Sequence, residues 1–236
     1  MTNATNQPRS TVLHMHMSEF WSGDLGLTLV TIALAVLIFV IVPLREAALP
    51  GRIFFDLFVF VLMVSAALVV NQSRIATVVV IAVVLATGVV LTATRIHPTP
   101  SLEILGSFLV TVTLMLYVRI VLLVTFRAGQ ITWSRVQGGL SAYLLIGMVW
   151  ASAFQLMELL HPGSFQFVSA PADMDQLTSK LTYYSFATLT TVGSNISPIY
   201  PFARSLSIAE SVVGQLFPAV LMGALVAMAL QYRPKS

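Results

Sequence analysis

Apolar residues fall along the chain in six long runs separated by short polar breaks. Each run approaches the roughly 20 residues that a helix needs to cross a bilayer core of about 30 Å. Leu25–Leu44 carries no charge and stops at Arg45 and Glu46; Ile53–Val70 follows the turn "REAALPGR", and Ile75–Thr94 follows "NQSR". The remaining runs are Leu102–Phe126, Val136–Leu160 and Ser205–Leu230, the last ending at "QYRPKS". Helices are the expected spanning form, because a helix satisfies its own backbone groups in lipid. The four-residue break between the second and third runs predicts a tight antiparallel hairpin.

The connection between the fifth and sixth runs is different. About 44 residues separate Leu160 from Ser205, far more than any other break. Its first part, "HPGSFQFVSAPADMD", is polar and rich in Pro and Gly, and its second, "LTSKLTYYSFATLTT", is long enough for a helix but too short to cross. That is the pattern of a re-entrant segment, and non-helical backbone at membrane depth is tolerated only when buried in protein or lining water. The expected fold is therefore an all-α membrane protein with six transmembrane helices and a re-entrant helix and loop between the fifth and sixth. Residues 1–24 are expected as a polar tail, 25–126 as a four-helix scaffold, 136–231 as the pore-forming region and 232–236 as a second tail.

Composition agrees with a membrane setting. Apolar residues make up 57% of the 236 residues and charged residues 9%, against roughly 25% charged in a soluble domain. Such a chain cannot cover itself with polar surface, so lipid is its expected surrounding. A net charge of +3, dispersed along the chain, does not make a nucleic-acid surface. There is no cysteine, so redox compartment is unreadable. Residues 1–24 are polar with Arg9 as the only early basic residue, which does not fit a cleavable signal peptide. Six spans place both termini on one side. With that side cytoplasmic, Arg9, Arg74, Arg127, Arg135, Arg233 and Lys235 lie inside against Arg45, Arg52, Arg95, Lys180 and Arg204 outside. This is a small excess in the direction of the positive-inside rule, and Trp21 and Trp133 fall near the inner interface. The expected location is the cell membrane, multi-pass, with cytoplasmic termini.

The candidate chemistry lies in "YYSFATLTTVGSNISP", followed by "ARSLSIAESVVGQLFPAVLMGALVAM". These stretches resemble the pore helix, selectivity filter and inner helix of the tetrameric potassium-channel family, whose filter reads "TVGYG". The resemblance covers Gly138–Gln231, about two-fifths of the chain. It implies a homotetramer, since one chain cannot enclose an axis, and a permeant monovalent cation, potassium foremost, with no other cofactor. A short helix ending near Thr190 would aim the negative end of its dipole at the cation. The carbonyls of Thr191, Val192 and Gly193, with the Thr191 hydroxyl, would replace part of the hydration shell. Val192 is expected to pack behind the filter, and Gly193 to supply backbone freedom. The pattern departs at Ser194 and Asn195: the aromatic, the second Gly and the acidic residue of "TVGYGDITP" are missing, and the loop is one residue shorter before Pro198. Asn tolerates a left-handed conformation, so Asn195 can still reverse the chain. The changes imply fewer ion sites, a wider outer half and weaker discrimination of potassium from sodium.

In the last span Ser207, Ser211, Gly214, Pro218 and Met222 recur at helical spacing and predict a small, mildly polar face toward the axis. Gly214 and Gly223 are candidate gating hinges or close-packing sites. Glu210 is an ionisable residue inside a span, a functional candidate by type, or else a buried partner of the pore helix at Thr188 or Thr190. Gln215 reads as structural. A voltage sensor would need basic residues at every third position of the fourth span. In phase with Arg119 the positions are Thr113, Leu116, Leu122 and Thr125, so the first four spans read as a scaffold, with Arg127 at its inner end able to snorkel.

Smaller signals are bland. Asp56 pairs by spacing with Arg52, the tail pair His14 and His16 has no metal-site context, and Glu158 and His161 read as a solvated outer rim. No nucleophile–base pairing, phosphate loop or zinc spacing occurs, so nothing in the sequence supports an enzyme or a small-molecule substrate. The expected function is passive conduction of monovalent cations through a modified filter. The alternatives are a non-conducting or weakly selective scaffold or sensor with a degenerate filter, and a transporter, which would require two interrupted helices in matching positions where only one such segment occurs.

Overall fold

The computed structural model describes residues 31–43, 74–126 and 133–231. The expected tails 1–24 and 232–236, the run Ile53–Val70 with Asp56, and Arg127 lie outside the described residues. Within them the protein is an all-α membrane protein. Residues 31–43 form α1, with a π-helical turn at Leu37–Ile41. It is followed by α2 (Arg74–Ile96), α3 (Pro100–Thr125), α4 (Trp133–Leu160), β1 (Phe165–Gln166), α5 (Met174–Leu189), β2 (Ser197–Pro198) and α6 (Pro201–Gln231). Four of these, α2, α3, α4 and α6, are long and apolar enough to cross a membrane.

Local chemistry sets the helix starts. Thr99 caps α3, its hydroxyl accepting from Leu102 N at 3.4 Å, and Pro100 occupies the first turn, where its missing N–H costs nothing. Asp173 caps α5 by accepting from Gln176 N at 2.9 Å, and the Gln176 side chain accepts from Ala172 N at 3.0 Å. At 16 residues, α5 is about 24 Å long, short of a bilayer core of about 30 Å.

Two apolar clusters hold the helices. One joins α1, α3 and α4 through Leu34, Ile38, Tyr117, Val121, Leu145 and Met148. The other joins α4, α5, β1 and the start of α6 around Phe154, which is fully buried. There Phe154, Phe165 and Tyr184 meet edge-to-face, with ring centroids 5.1 to 5.5 Å apart, the arrangement that opposes positive ring edges to negative faces. Hydroxyls tie the apolar helices where lipid offers no hydrogen bonds: Thr87 to Thr113 at 3.0 Å, Thr111 to Ser152 at 3.1 Å and Thr31 to Ser141 at 2.7 Å.

The direction of α5 follows from its contacts. Gln155 meets Thr178, Phe154 meets Tyr184 and the Gly147 carbonyl meets Ser185, so α5 runs antiparallel to α4. Along α6 the partners rise together, Tyr184 with Ser207, Ser185 with Glu210 and Thr188 with Ser211, so α5 runs parallel to α6. It ends at Leu189 against Gly214, near the middle of α6. From there the chain returns to the end it came from, because β2 pairs antiparallel with β1 in the register Phe165↔Pro198 and Gln166↔Ser197.

Candidate functional site

The loop Thr190–Asn195 sits at the tip of this descending and returning segment, exposed in the single chain except at Ser194, which is half-buried. A helix C-terminus leaves its last four carbonyls without helical partners, and here protein donors take all four. The Phe186 carbonyl accepts from Thr190 N at 3.1 Å and the Thr190 hydroxyl at 2.6 Å. Ala187 O accepts from Gly193 N at 3.1 Å, and Thr188 O from Thr191 N at 3.0 Å. Tyr143 points its hydroxyl at Leu189 O, 3.5 Å away. These bonds fold the loop back beneath α5.

The next carbonyls are left differently. Thr190 O accepts from the Thr191 hydroxyl at 2.7 Å. Among the described residues no protein donor reaches the carbonyls of Thr191, Val192 or Gly193. The backbone changes hand from residue to residue: Thr191 has φ 58° and Gly193 φ 84°, with Val192 between them outside the left-handed region. In an ordinary strand successive carbonyls point to opposite sides; alternation of hand turns successive peptide planes the same way, so the carbonyls can form a row. Glycine reaches such φ freely. A β-branched Thr does not, and its strain, of order 1–3 kcal/mol, persists only when the surroundings impose it. The Thr191 hydroxyl is gripped from α6, accepting from Gln215 Nε2 at 3.1 Å.

Beyond Gly193 the loop closes at once. The Ser194 hydroxyl accepts from Ile196 N and donates toward Ile196 O, both at 3.2 Å. Asn195 is exposed, and its φ is not positive; the chain reversal expected of a left-handed Asn195 is made by this serine turn instead. The Val192 side chain is 81% exposed, so little of the described structure packs over it.

Behind the loop, α6 supplies the supports. Glu210 is fully buried at 0% exposure, and its partner is Ser185 rather than Thr188 or Thr190: Ser185 Oγ lies 2.5 Å from Glu210 Oε1 and 2.8 Å from Gly147 O. Among the described residues Glu210 Oε2 meets no donor. The stripe expected to look toward an axis is turned in its first half to α5. Ser207 meets Tyr184 Oη at 2.6 Å, Ser211 faces Thr188 O at 3.4 Å, and a Cβ on Gly214 would overlap the Leu189 carbonyl. Gly214 is thus a site of close approach between α5 and α6, whereas Gly223, Pro218 and Met222 are exposed.

The loop after α4 is more built than a solvated rim. Glu158, at the end of α4, accepts from Gly163 N at 2.8 Å and Phe165 N at 3.0 Å. Ser164 O accepts from Ile199 N and Tyr200 N, and His161 stacks on Tyr200 at 4.8 Å. Tyr184, Ser185, Tyr143 and Glu158 were not singled out from the sequence as supports of the loop. Arg119 is exposed on α3. Among the described residues no group of three or more His, Cys, Asp or Glu could hold a metal ion. Comparisons of the chain with protein-family models, curated proteins and solved structures find no match.

Proposed function

We propose that the chain is the pore-forming subunit of a homotetrameric channel that conducts monovalent cations, with potassium the principal ion. In this reading α5 is the pore helix, α4 and α6 are the outer and inner helices, and the rows of Thr191, Val192 and Gly193 carbonyls from four subunits form the filter. The full chain then has six spans in the cell membrane, with cytoplasmic termini. The observation that carries the reading is the run of three carbonyls left without a protein donor, on a backbone that alternates in hand, at the negative end of a helix. Four copies would also cover Val192 and the exposed apolar face of α6 at Ile208, Val212 and Leu216, surfaces that lipid or a neighbouring subunit must meet.

Selectivity follows from how short the row is. The closed turn at Ser194 ends it, and no aromatic side chain buttresses the outer half, so the filter discriminates potassium from sodium weakly. Arg119 stands alone in its phase of α3, so gating by a ladder of arginines is not part of the proposal. Rubidium uptake into liposomes containing purified protein tests it. Uptake above empty liposomes that Gly193→Asp abolishes, with the variant's assembly unchanged, is expected; folded wild-type tetramers that pass no cation would overturn it and leave the chain a scaffold with a degenerate filter.

A further inference from the structure

A cavity of about 460 Å³ opens among α1, α2, α3, α4 and the first half of α5, away from the Thr190–Asn195 loop. Its lining is sorted along the helices. One part, here called the shaft, is walled by Leu34, Leu37, Leu145 and Met148, which lie along the middle of α1 and α4. The other, here called the mouth, carries Arg95 at the end of α2, Glu103 in the first turn of α3, and Asp173 and Asp175 at the start of α5. These helix ends all lie at the end of the bundle that bears β1 and β2.

The hydroxyls along the shaft do not call for water. Thr113 donates to Leu109 O at 2.7 Å, Ser152 to Val149 O at 2.9 Å and Thr182 to Thr178 O at 2.7 Å. Gln155 closes the wall between α3, α4 and α5, bonding Ser107 at 3.3 Å and Thr178 at 3.1 Å. With its polar atoms satisfied internally, the shaft is apolar in effect, and apolar cavities stay dry or take apolar guests. At roughly 30 Å³ per water-sized group, the volume holds on the order of fifteen heavy atoms, one alkyl chain with its head and not two. It falls within the roughly 300–1,000 Å³ of small-molecule sites. At the mouth three carboxylates face one guanidinium, so whatever pair Arg95 makes, negative charge is in excess.

We propose that this cavity binds a single-chain amphiphile with a cationic head group, its chain in the shaft and its ammonium at the carboxylate mouth. The site is read from the cavity alone and does not depend on the chain being a channel. Dodecyltrimethylammonium carrying a diazirine on its chain is the probe, applied to the full chain in phosphatidylcholine nanodiscs, with crosslinks mapped by peptide mass spectrometry. Saturable labelling of α3 between Ser107 and Tyr117 and of α4 between Leu145 and Gln155 is expected. Unlabelled dodecyltrimethylammonium should compete about ten-fold better than dodecyl sulfate, since only the ammonium gains attraction at the mouth. Ala151→Trp, which fills the shaft, should remove the labelling, and Glu103→Gln with Asp175→Asn, which keeps the volume, should bring the two competitors within about three-fold. Labelling spread evenly over lipid-facing residues, equal competition by the sulfate in the wild-type protein, or a cation preference unchanged in the neutralised variant would each overturn the proposal.

Discussion

Ser185→Ala removes one oxygen and tests how the loop is supported. Its hydroxyl is within hydrogen-bond reach of both Glu210 Oε1 and Gly147 O, at 2.5 and 2.8 Å. Glu210 is fully buried and its other oxygen already lacks a donor among the described residues. After the substitution the whole carboxyl group has no partner. Leaving a buried polar group unsatisfied costs about 1–3 kcal/mol, more for a charged one, so a loss of about 3 kcal/mol is expected. Glu210→Gln keeps an acceptor for Ser185 and should cost about 1 kcal/mol or less, within the range of one ordinary hydrogen bond. The double substitution Ser185→Ala with Glu210→Leu removes both partners together, which can be nearly neutral when shape is kept. Ser185→Ala should therefore cost far less in the Glu210→Leu background than in the wild type, a coupling of about 1–3 kcal/mol.

Thermal unfolding of the protein in nanodiscs, followed by tryptophan fluorescence, reads the cycle. At roughly 2–4 °C per kcal/mol for a chain of this size, Ser185→Ala should lower the midpoint by roughly 6–12 °C. A midpoint within about 2 °C of the wild type, or strict additivity in the double variant, would refute the assignment of Ser185 as the sole support of Glu210.

Three further outcomes follow from the same geometry. Gly214→Ala puts a Cβ 2.8 Å from the Leu189 carbonyl carbon and closer still to its oxygen; relief requires the end of α5 to move, so it should cost about 1–3 kcal/mol and speed amide exchange at Thr190 and Thr191. Thr191→Gly loses the Gln215 hydrogen bond but relieves a positive φ worth roughly 1–2 kcal/mol, so by thermal unfolding it should equal or exceed the wild type, whereas Thr191→Val keeps the strain, loses the bond and should fall below it by about 1 kcal/mol. Glu158→Ala strips the acceptor from two backbone N–H groups, and hydrogen–deuterium exchange at Gly163 and Phe165 should accelerate roughly ten-fold or more, since about 1.5–3 kcal/mol of charge-assisted bonding is lost.

The long helices were legible because a lipid-exposed helix is apolar on every face, and α2, α3, α4 and α6 fall within a few residues of the runs that predict them. The helix α5 was legible too, since its length and amphipathic make-up set it apart from a span. What the sequence could not convey were relations that exist only after docking. A two-residue strand has no period to read, so the pairing of Phe165 with Pro198 had no signal. The partner of Glu210 depends on how far α5 slides along α6; a shift of about one turn would have exchanged Ser185 for Thr188. The face of α6 containing Ser207 and Gly214 has the small residues of an axis-lining stripe, but small residues also permit close helix contact, and in its first half the contact with α5 takes them. Glu158 looked like a rim charge because an acceptor for loop amides is defined by the turn it closes and not by its neighbours in sequence.

In the proposed channel the Thr191, Val192 and Gly193 carbonyls coordinate a cation on a fourfold axis. An experimental structure of the tetramer soaked in thallium, with anomalous density measured along that axis, tests it most directly. Ordered thallium is expected between the Thr191 and Gly193 carbonyl rings and none beyond Ser194, with the sites lost in Gly193→Asp. An axis without anomalous density in an assembled tetramer, or thallium only beyond Ser194, would contradict it.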